Sequence, residues 1–314
     1  MAQTPWGEMP VQDSHVHFFS RNFFNALARQ KNLGGAHDLE NDLQSLLGWD
    51  MPPSEPALLA KTWVDELNKH GVEKIALMAS MPGDEASVAA AVAHDPHRFY
   101  GYFMLDPTQP DAVSRMAEAV KNPHLHAVCL FPAMHTYSIA DARVVPILEL
   151  ASDHHMTVFV HCGALSVGVR QKLGLPSQFN LSYSNPLHLH PVALHFPRIR
   201  FVVPHFGAGL LRETLMVADL CPNVYIDTSS GNGWMKYEGL DLLTVFQRTL
   251  EVIGTGRLLF GTDSSYFPRG WNHAIFEQQT KILYEAGIDV TDVTKILRFN
   301  LENVHSERLS VGIT

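Results

Sequence analysis

Residues 10–18 read Pro10-Val11-Gln12-Asp13-Ser14-His15-Val16-His17-Phe18. The stretch opens apolar and then delivers three ionisable side chains. His15 and His17 are two apart, so on a strand both imidazoles point to one face and can reach one ion. Asp13 is expected on that face too, one pleat deeper. Alone the pair is a weak signal, because the chain carries 18 histidines. His124-Leu125-His126 and His188-Leu189-His190 repeat the spacing. One lies before a strand and the other inside a long connection, so both are read as structural. What lends weight to residues 10–18 is the company they keep along the chain.

Seven more short apolar runs follow, and residues 10–18 count as strand one. Lys74–Ala79 is strand two, Phe99–Leu105 strand three and Ala127–Phe131 strand four. Thr157–His161 is strand five, Arg200–His205 strand six, Val224–Asp227 strand seven and Leu258–Asp263 strand eight. Helical patterns lie between them, as at Leu58 to Leu67, Asp111 to Lys121, Val144 to His155, Leu210 to Leu220 and Leu240 to Ile253. Near-continuously apolar strands alternating with helices imply a parallel sheet covered on both faces. Eight such units predict an α/β (β/α)8 TIM barrel. An open doubly wound sheet is the alternative, but no GxGxxG follows an early strand. Two connections are long, residues 19–57 after strand one and 163–197 after strand five. Such loops at barrel strand ends serve as lids or substrate walls, or else as oligomerisation arms. Two further helices are expected, Trp271 to Ala286 and Thr291 to Val304. No low-complexity linker cuts the chain, so residues 1–314 are expected to form a single barrel domain.

Composition narrows the function. The net charge is -9 with no basic tract, which excludes nucleic acid as an expected partner. No stretch is long and apolar enough for a membrane span. Met1 to Glu8 lack the pattern of a secretory leader. Three scattered cysteines, Cys129, Cys162 and Cys221, build neither a disulfide framework nor a CxxC zinc site. A reducing, cytoplasmic setting is expected. The low charged fraction, 18%, and the long loops make a homo-oligomer the expected assembly.

Barrel active sites lie at the C-terminal strand ends. There strand one delivers His15 and His17, strand five His161, strand six His205 and strand eight Asp263. Three imidazoles and a carboxylate suit a borderline divalent ion, most simply Zn²⁺, with room for water. His205 is either a further ligand or an acid/base beside the metal, and the second role is preferred. Pro204 before it and Phe206-Gly207-Ala208-Gly209 after it predict a tight turn with close backbone approach.

This set resembles the amidohydrolase superfamily, and within it the amidohydrolase 2 branch that includes aminocarboxymuconate-semialdehyde decarboxylase-like enzymes. The matching pieces are Asp13-Ser14-His15-Val16-His17, Val160-His161, Val203-Pro204-His205-Phe206-Gly207 and Phe260-Gly261-Thr262-Asp263. Asp95-Pro96-His97-Arg98-Phe99 and Ile296-Leu297-Arg298-Phe299-Asn300 add support. The resemblance implies that His15, His17, His161 and Asp263 bind one divalent metal, usually zinc. It implies that His205 and Asp263 are catalytic and handle the water. Some superfamily members carry a carboxylated lysine at the end of strand four; here that end reads Cys129-Leu130-Phe131-Pro132, which implies a mononuclear site. Some members of the branch are lactonases that work without metal.

The expected activity is hydrolysis of a small ester, lactone or amide; the alternative is non-oxidative decarboxylation of a small unsaturated or aromatic acid. An intact ligand set argues against a non-catalytic binding barrel. A carboxylate substrate would need an arginine clamp. Arg21, Arg29, Arg170, Arg212 and Arg269 are the candidates, with Arg21 and Arg170 in front. Asp227 is expected in substrate binding or behind a ligand. Tyr266, with Trp234, Trp271 and His273, is expected to wall the pocket, aromatic helix packing being the other reading. Cys162 adjoins His161, but neighbours on a strand face opposite sides, so it is read as a buried apolar residue.

Overall fold

Strand one spans Gln12–Phe18, strand two Lys74–Ala79, strand three Phe99–Leu105 and strand four Ala127–Leu130; strands five, six and seven are Thr157–Val160, Phe201–Val203 and Val224–Asp227. The computed structural model describes residues 1–33, 39–177, 179–230 and 232–311. Each of these strands pairs in parallel with the next. Strand eight is split. Leu258–Leu259 pairs with strand seven, and Ser264–Ser265 pairs with strand one. Across the same seam the Ser14 N–H donates to the Phe260 carbonyl at 2.9 Å. The eight strands therefore close a (β/α)8 ring. The single run expected over Leu258–Asp263 breaks because Asp263 takes a left-handed backbone, φ 56°, which no regular strand accommodates.

Burial on both faces explains the apolar runs. Val16, Phe18, Ile75, Leu77, Val128 and Phe201 meet the helices outside, while Ala76, Met78, Tyr102, Met104, Phe159 and Val202 fill the barrel. Strand one holds the exception. Asp13 pairs with Ile75 and Val16 with Leu77, so two residues, Ser14 and His15, oppose Ala76 alone. This β-bulge reverses the alternation before it. It corrects the expectation for Asp13, which lies on the outer face and not beneath the histidines. There Asp13 accepts from the Thr262 N–H at 3.1 Å and the Trp271 indole N–H at 2.8 Å, and so ties strand one to strand eight.

The helices follow their end signals. Helix Pro56–His70 starts with proline in its first turn and stops at Gly71, which is left-handed. Leu59, Ala60, Trp63 and Leu67 make its buried face. Asp241 caps helix Leu242–Ile253 by accepting from the Thr244 N–H. The helix expected from Trp271 begins at His273, and the final segment runs as Val290–Thr294, a π turn over Lys295–Phe299, and Asn300–Val311. An antiparallel hairpin, Ala2–Thr4 with Gly7–Met9, precedes strand one and was not expected. Among the described residues no helix is long and apolar enough to cross a membrane.

The two long connections meet each other above the strand ends. Helices Arg21–Gln30 and Leu39–Leu47 come from the first, and helix Gly168–Lys172 from the second. Phe23, Phe24, Leu27, Leu43, Leu47, Val169 and Leu173 form a hydrophobic cluster separate from the barrel's own. Residues 34–38 and Gln178, which fall in these connections, lie outside the described residues.

Candidate metal centre

Four of the eight strand ends bring their polar residues to one place. His15 Nε2 lies 3.7 Å from Asp263 Oδ1, and His17 Nε2 lies 3.1 Å from the same oxygen. The His205 ring is 4.9 Å from that of His15 and 5.3 Å from that of His161. His15 is 1% exposed, whereas His17 is 23% and Asp263 32% exposed. The centre is thus closed at its base and open toward His17 and Asp263.

Each ring is aimed from behind. His15 Nδ1 donates to the Asp227 carboxylate at 3.1 Å and sits 2.8 Å from Ser229 Oγ. Asp227 can only accept, so a proton is on Nδ1 and Nε2 faces Asp263. His17 Nδ1 meets Ser80 Oγ at 2.9 Å. His205 Nδ1 donates to the Ser229 carbonyl at 2.9 Å, which leaves its Nε2 as a base. His161 differs: its Nδ1 is buried without a hydrogen-bond partner among the described residues. An orphaned ring nitrogen beside two imidazoles and a carboxylate is what a divalent cation would satisfy. The ligand atoms of His15, His17 and Asp263 lie within 4.8 Å of one another, as do those of His15, His205 and Asp227. His15, His17 and Asp263 fit a divalent metal, and among the described residues His161 joins neither group.

The electrostatics agree with that use. Burial disfavours the Asp263 carboxylate, but the His17 contact and the charge of His15 override it and hold the group well below its ordinary range. Burial and the neighbouring His205 and His15 keep His161 neutral, far below the usual imidazole value. Burial, with His15 beside it, lowers His205 as well. His15 is pulled the other way: burial would lower it, yet the Asp227 charge and hydrogen bond win and raise it. Neutral His161 and His205 and ionised Asp263 are the forms that bind metal, whereas His15 must release the proton that Asp227 favours before it can do so.

The substrate-side expectations fare differently. Asp227 is fully buried, bonded to Ser14, His15 and Ser229. It stands behind His15 and does not reach a substrate. Tyr266 packs edge-on against Trp63, 5.7 Å between rings, on the helix side. Its expected place in the pocket wall is therefore not where the structure puts it, and the aromatic-packing reading holds. Trp271 turns to Asp13, and His273 stacks on Phe276 at 5.8 Å. Trp234 donates its indole N–H to Ser230 Oγ. Arg21 donates to the Pro52 carbonyl and pairs with Glu40. Arg170 donates to Gln30 and to the Pro176 carbonyl. Neither is joined to the cluster, because each is held by partners within the connections after strands one and five. Arg269 donates to the Asp263 carbonyl at 3.0 Å. Cys162 packs with the outer core, as its parity requires, and burial pushes its thiol up to about 12. His126 is buried at the far end of the barrel. The walls nearest the metal site are aromatic instead: Phe19 stacks on His17 at 5.5 Å and Phe131 on His161 at 5.4 Å. Sequence reasoning missed Ser80 and Ser229; the first directly follows strand two and the second comes two residues after strand seven.

A stretch of 92 residues, 29% of the chain, is 30% identical to Protein fluG of Emericella nidulans and spans a tenth of that protein's length. Among solved structures, an uncharacterized TIM-barrel protein from Bordetella bronchiseptica superposes with a TM-score of 0.66 at 19% identity, over 96% of this chain and 99% of that one. A dihydroxybenzoic acid decarboxylase from Polaromonas with bound manganese gives 0.62 at 16% identity, covering 95% and 97%. An amidohydrolase from Burkholderia multivorans with bound zinc gives 0.62 at 12%, covering 95% and 99%. At these identities the likeness speaks for the barrel fold. The Amidohydrolase family (Amidohydro_2) matches residues 13–300. That span starts at the aspartate that ties strand one to strand eight and ends in the helix behind the barrel floor, and the chain belongs to the amidohydrolase family.

Proposed function

We propose that the chain is a metal-dependent hydrolase acting on a small ester, lactone or amide. One observation carries the reading: His15 Nε2 and His17 Nε2 converge on Asp263 Oδ1, with the neutral His205 at their side. A divalent ion held by His15, His17, His161 and Asp263, Zn²⁺ in this reading, would supply Lewis-acid polarisation and an acidified water. His205 holds its Nδ1 proton against the Ser229 carbonyl, so Nε2 takes a proton from the attacking water and returns it to the leaving group. Asp263, ionised and flanked by two imidazoles, orients that water and shares its proton. Phe19 and Phe131 give the substrate an apolar wall.

The alternative is a carboxy-lyase, which would lose CO2 from a small unsaturated or aromatic acid at the same centre. The likeness to a dihydroxybenzoic acid decarboxylase motivates it. Such an acid needs a cationic clamp, and Arg21 and Arg170 are engaged elsewhere. Arg269, beside the Asp263 carbonyl, is the candidate clamp. Metal analysis of the purified protein beside the H15A/H17A variant comes first. About one divalent ion per chain, lost in the variant, supports the centre. A panel of esters, lactones, amides and aromatic acids then separates the activities. Acid release without CO2 supports the hydrolase; CO2 release without water consumption replaces it with the lyase.

A further inference from the structure

Strand seven leaves the barrel between the strand ends that carry His205 and Asp263, because strands six and eight flank it. Its exit loop carries Ser229, whose hydroxyl touches both His15 and His205. Three residues further on stands Asn232, 9% exposed, with a left-handed backbone at φ 54°. Both of its amide atoms, Oδ1 and Nδ2, are buried and have no hydrogen-bond partner among the described residues. The backbone around it is nonetheless pinned. Its N–H donates to Ser230 Oγ at 3.1 Å, its carbonyl accepts from the Met235 N–H at 3.0 Å, and Trp234 donates to the same serine. A carboxamide held this firmly and left unsatisfied is costly to the fold. Elsewhere in the exit loop each polar group named has a partner, so the exception points to a group that arrives from outside.

We propose that Asn232 is a substrate-recognition residue of the metal centre, and that it selects a neutral group carrying a donor beside an acceptor. The argument is one of inventory. Nδ2 offers two N–H donors and Oδ1 only accepts. A carboxylate accepts and cannot donate, so it would satisfy Nδ2 and leave its own oxygens facing Oδ1. A cis-amide, as in a lactam, presents C=O and N–H side by side and satisfies both atoms at once. Within the hydrolase reading, on which this inference rests, Asn232 therefore favours amides and lactams over acids. It touches substrate and not the metal, so its removal leaves the ligands in place.

The test compares the wild-type metal-loaded protein with N232L and N232D, using δ-valerolactam and glutarate as probes in thermal-shift titrations. N232L is expected to unfold near the wild-type temperature, because the strain of a leucine on the left-handed backbone offsets the relief of replacing an unpaired amide by an apolar group of like size. Its metal content stays that of the wild type. The lactam is expected to raise the wild-type melting point more than glutarate does, with an apparent affinity at least 10-fold weaker in both variants. Equal lactam affinity in wild type and variants overturns the proposal. So does a glutarate preference, or the absence of any lactam shift in the wild type. Turnover of the ester, lactone and amide panel is scored separately. A wild type that binds the lactam through Asn232 but hydrolyses nothing sinks the hydrolase reading and leaves this one standing.

Discussion

Asp227 never meets solvent, yet it decides which nitrogen His15 turns to the metal site. It accepts from Ser14 Oγ, His15 Nδ1 and the Ser229 N–H. In Asp227→Asn the amide must turn one donor toward another and the charge behind His15 is gone. Metal affinity is expected to fall about 10–100-fold while the fold survives; competition against a chromophoric chelator measures it, and an unchanged affinity refutes the aiming role. His205 makes the complementary case. Its Nδ1 is occupied by Ser229 and its Nε2 is free to act as a base. His205→Asn is expected to cut turnover by about 10²–10⁴-fold with metal content intact. If metal is lost along with activity, His205 is a ligand and the acid/base assignment falls.

At the scale of elements, strand six ends in a turn of unusual handedness. His205, Phe206, Gly207, Ala208 and Gly209 all have positive φ, and Gly207 and Ala208 donate back to Pro204 and His205 at 2.9 and 2.8 Å. Left-handed backbone costs about 1–2 kcal/mol per non-glycine residue, so the turn persists because its neighbours hold it. One neighbour is Gly163, just past His161. It has φ 73°, and a Cβ there would run into the Gly207 and Ala208 carbonyls. Gly163→Ala is therefore expected to destabilise the protein by about 2–4 kcal/mol in urea unfolding. It should also lower activity, by displacing His205. A neutral effect would mean that the turn yields easily and does not position the histidine. The same elements show how far the sequence could be read. His15, His17, His161, His205 and Asp263 were legible because each follows an apolar run, and run ends are strand ends. The bulge at Ser14-His15 was not, since it depends on what strand two offers opposite. Nor was the break in strand eight, which rests on the conformation of Asp263. The partners of Arg21 and Tyr266 were hidden for a related reason: a long side chain's direction is set by tertiary neighbours that spacing does not reveal. Asn232 left no sequence signal, because an unsatisfied amide is visible only against its surroundings.

Across the whole molecule the two ends of the barrel carry opposite kinds of histidine. At the mouth, imidazoles gather beside the Asp263 carboxylate. At the floor they are sealed in by the last helix. His305 from that helix meets Tyr102 Oη at 2.8 Å and Thr157 Oγ1 at 3.2 Å, and its ring lies 5.7 Å from that of His126. His126 accepts from the Gly101 N–H at 3.1 Å. Burial, together with the charges of Lys74 and Arg308, lowers His126 from 6.5 to about 3. Burial, with His126 and Lys74 nearby, also puts His305 well below its usual value. A folded-state value below the unfolded one means that the unfolded chain binds the proton first. The stabilisation from His126 is complete above pH 6.5, and it is lost as the pH falls toward 3. For that single group the loss reaches about 5 kcal/mol. His126→Asn keeps an acceptor for Gly101 and removes the titration. The variant is expected to show a shallower decline in stability between pH 6.5 and 4, by up to one proton per molecule. Urea unfolding at a series of pH values measures it. If wild type and variant decline in parallel, His126 does not carry the acid lability. Because His126 stands at the opposite end from the proposed metal ligands, the difference between the two proteins should be the same with metal added or chelated.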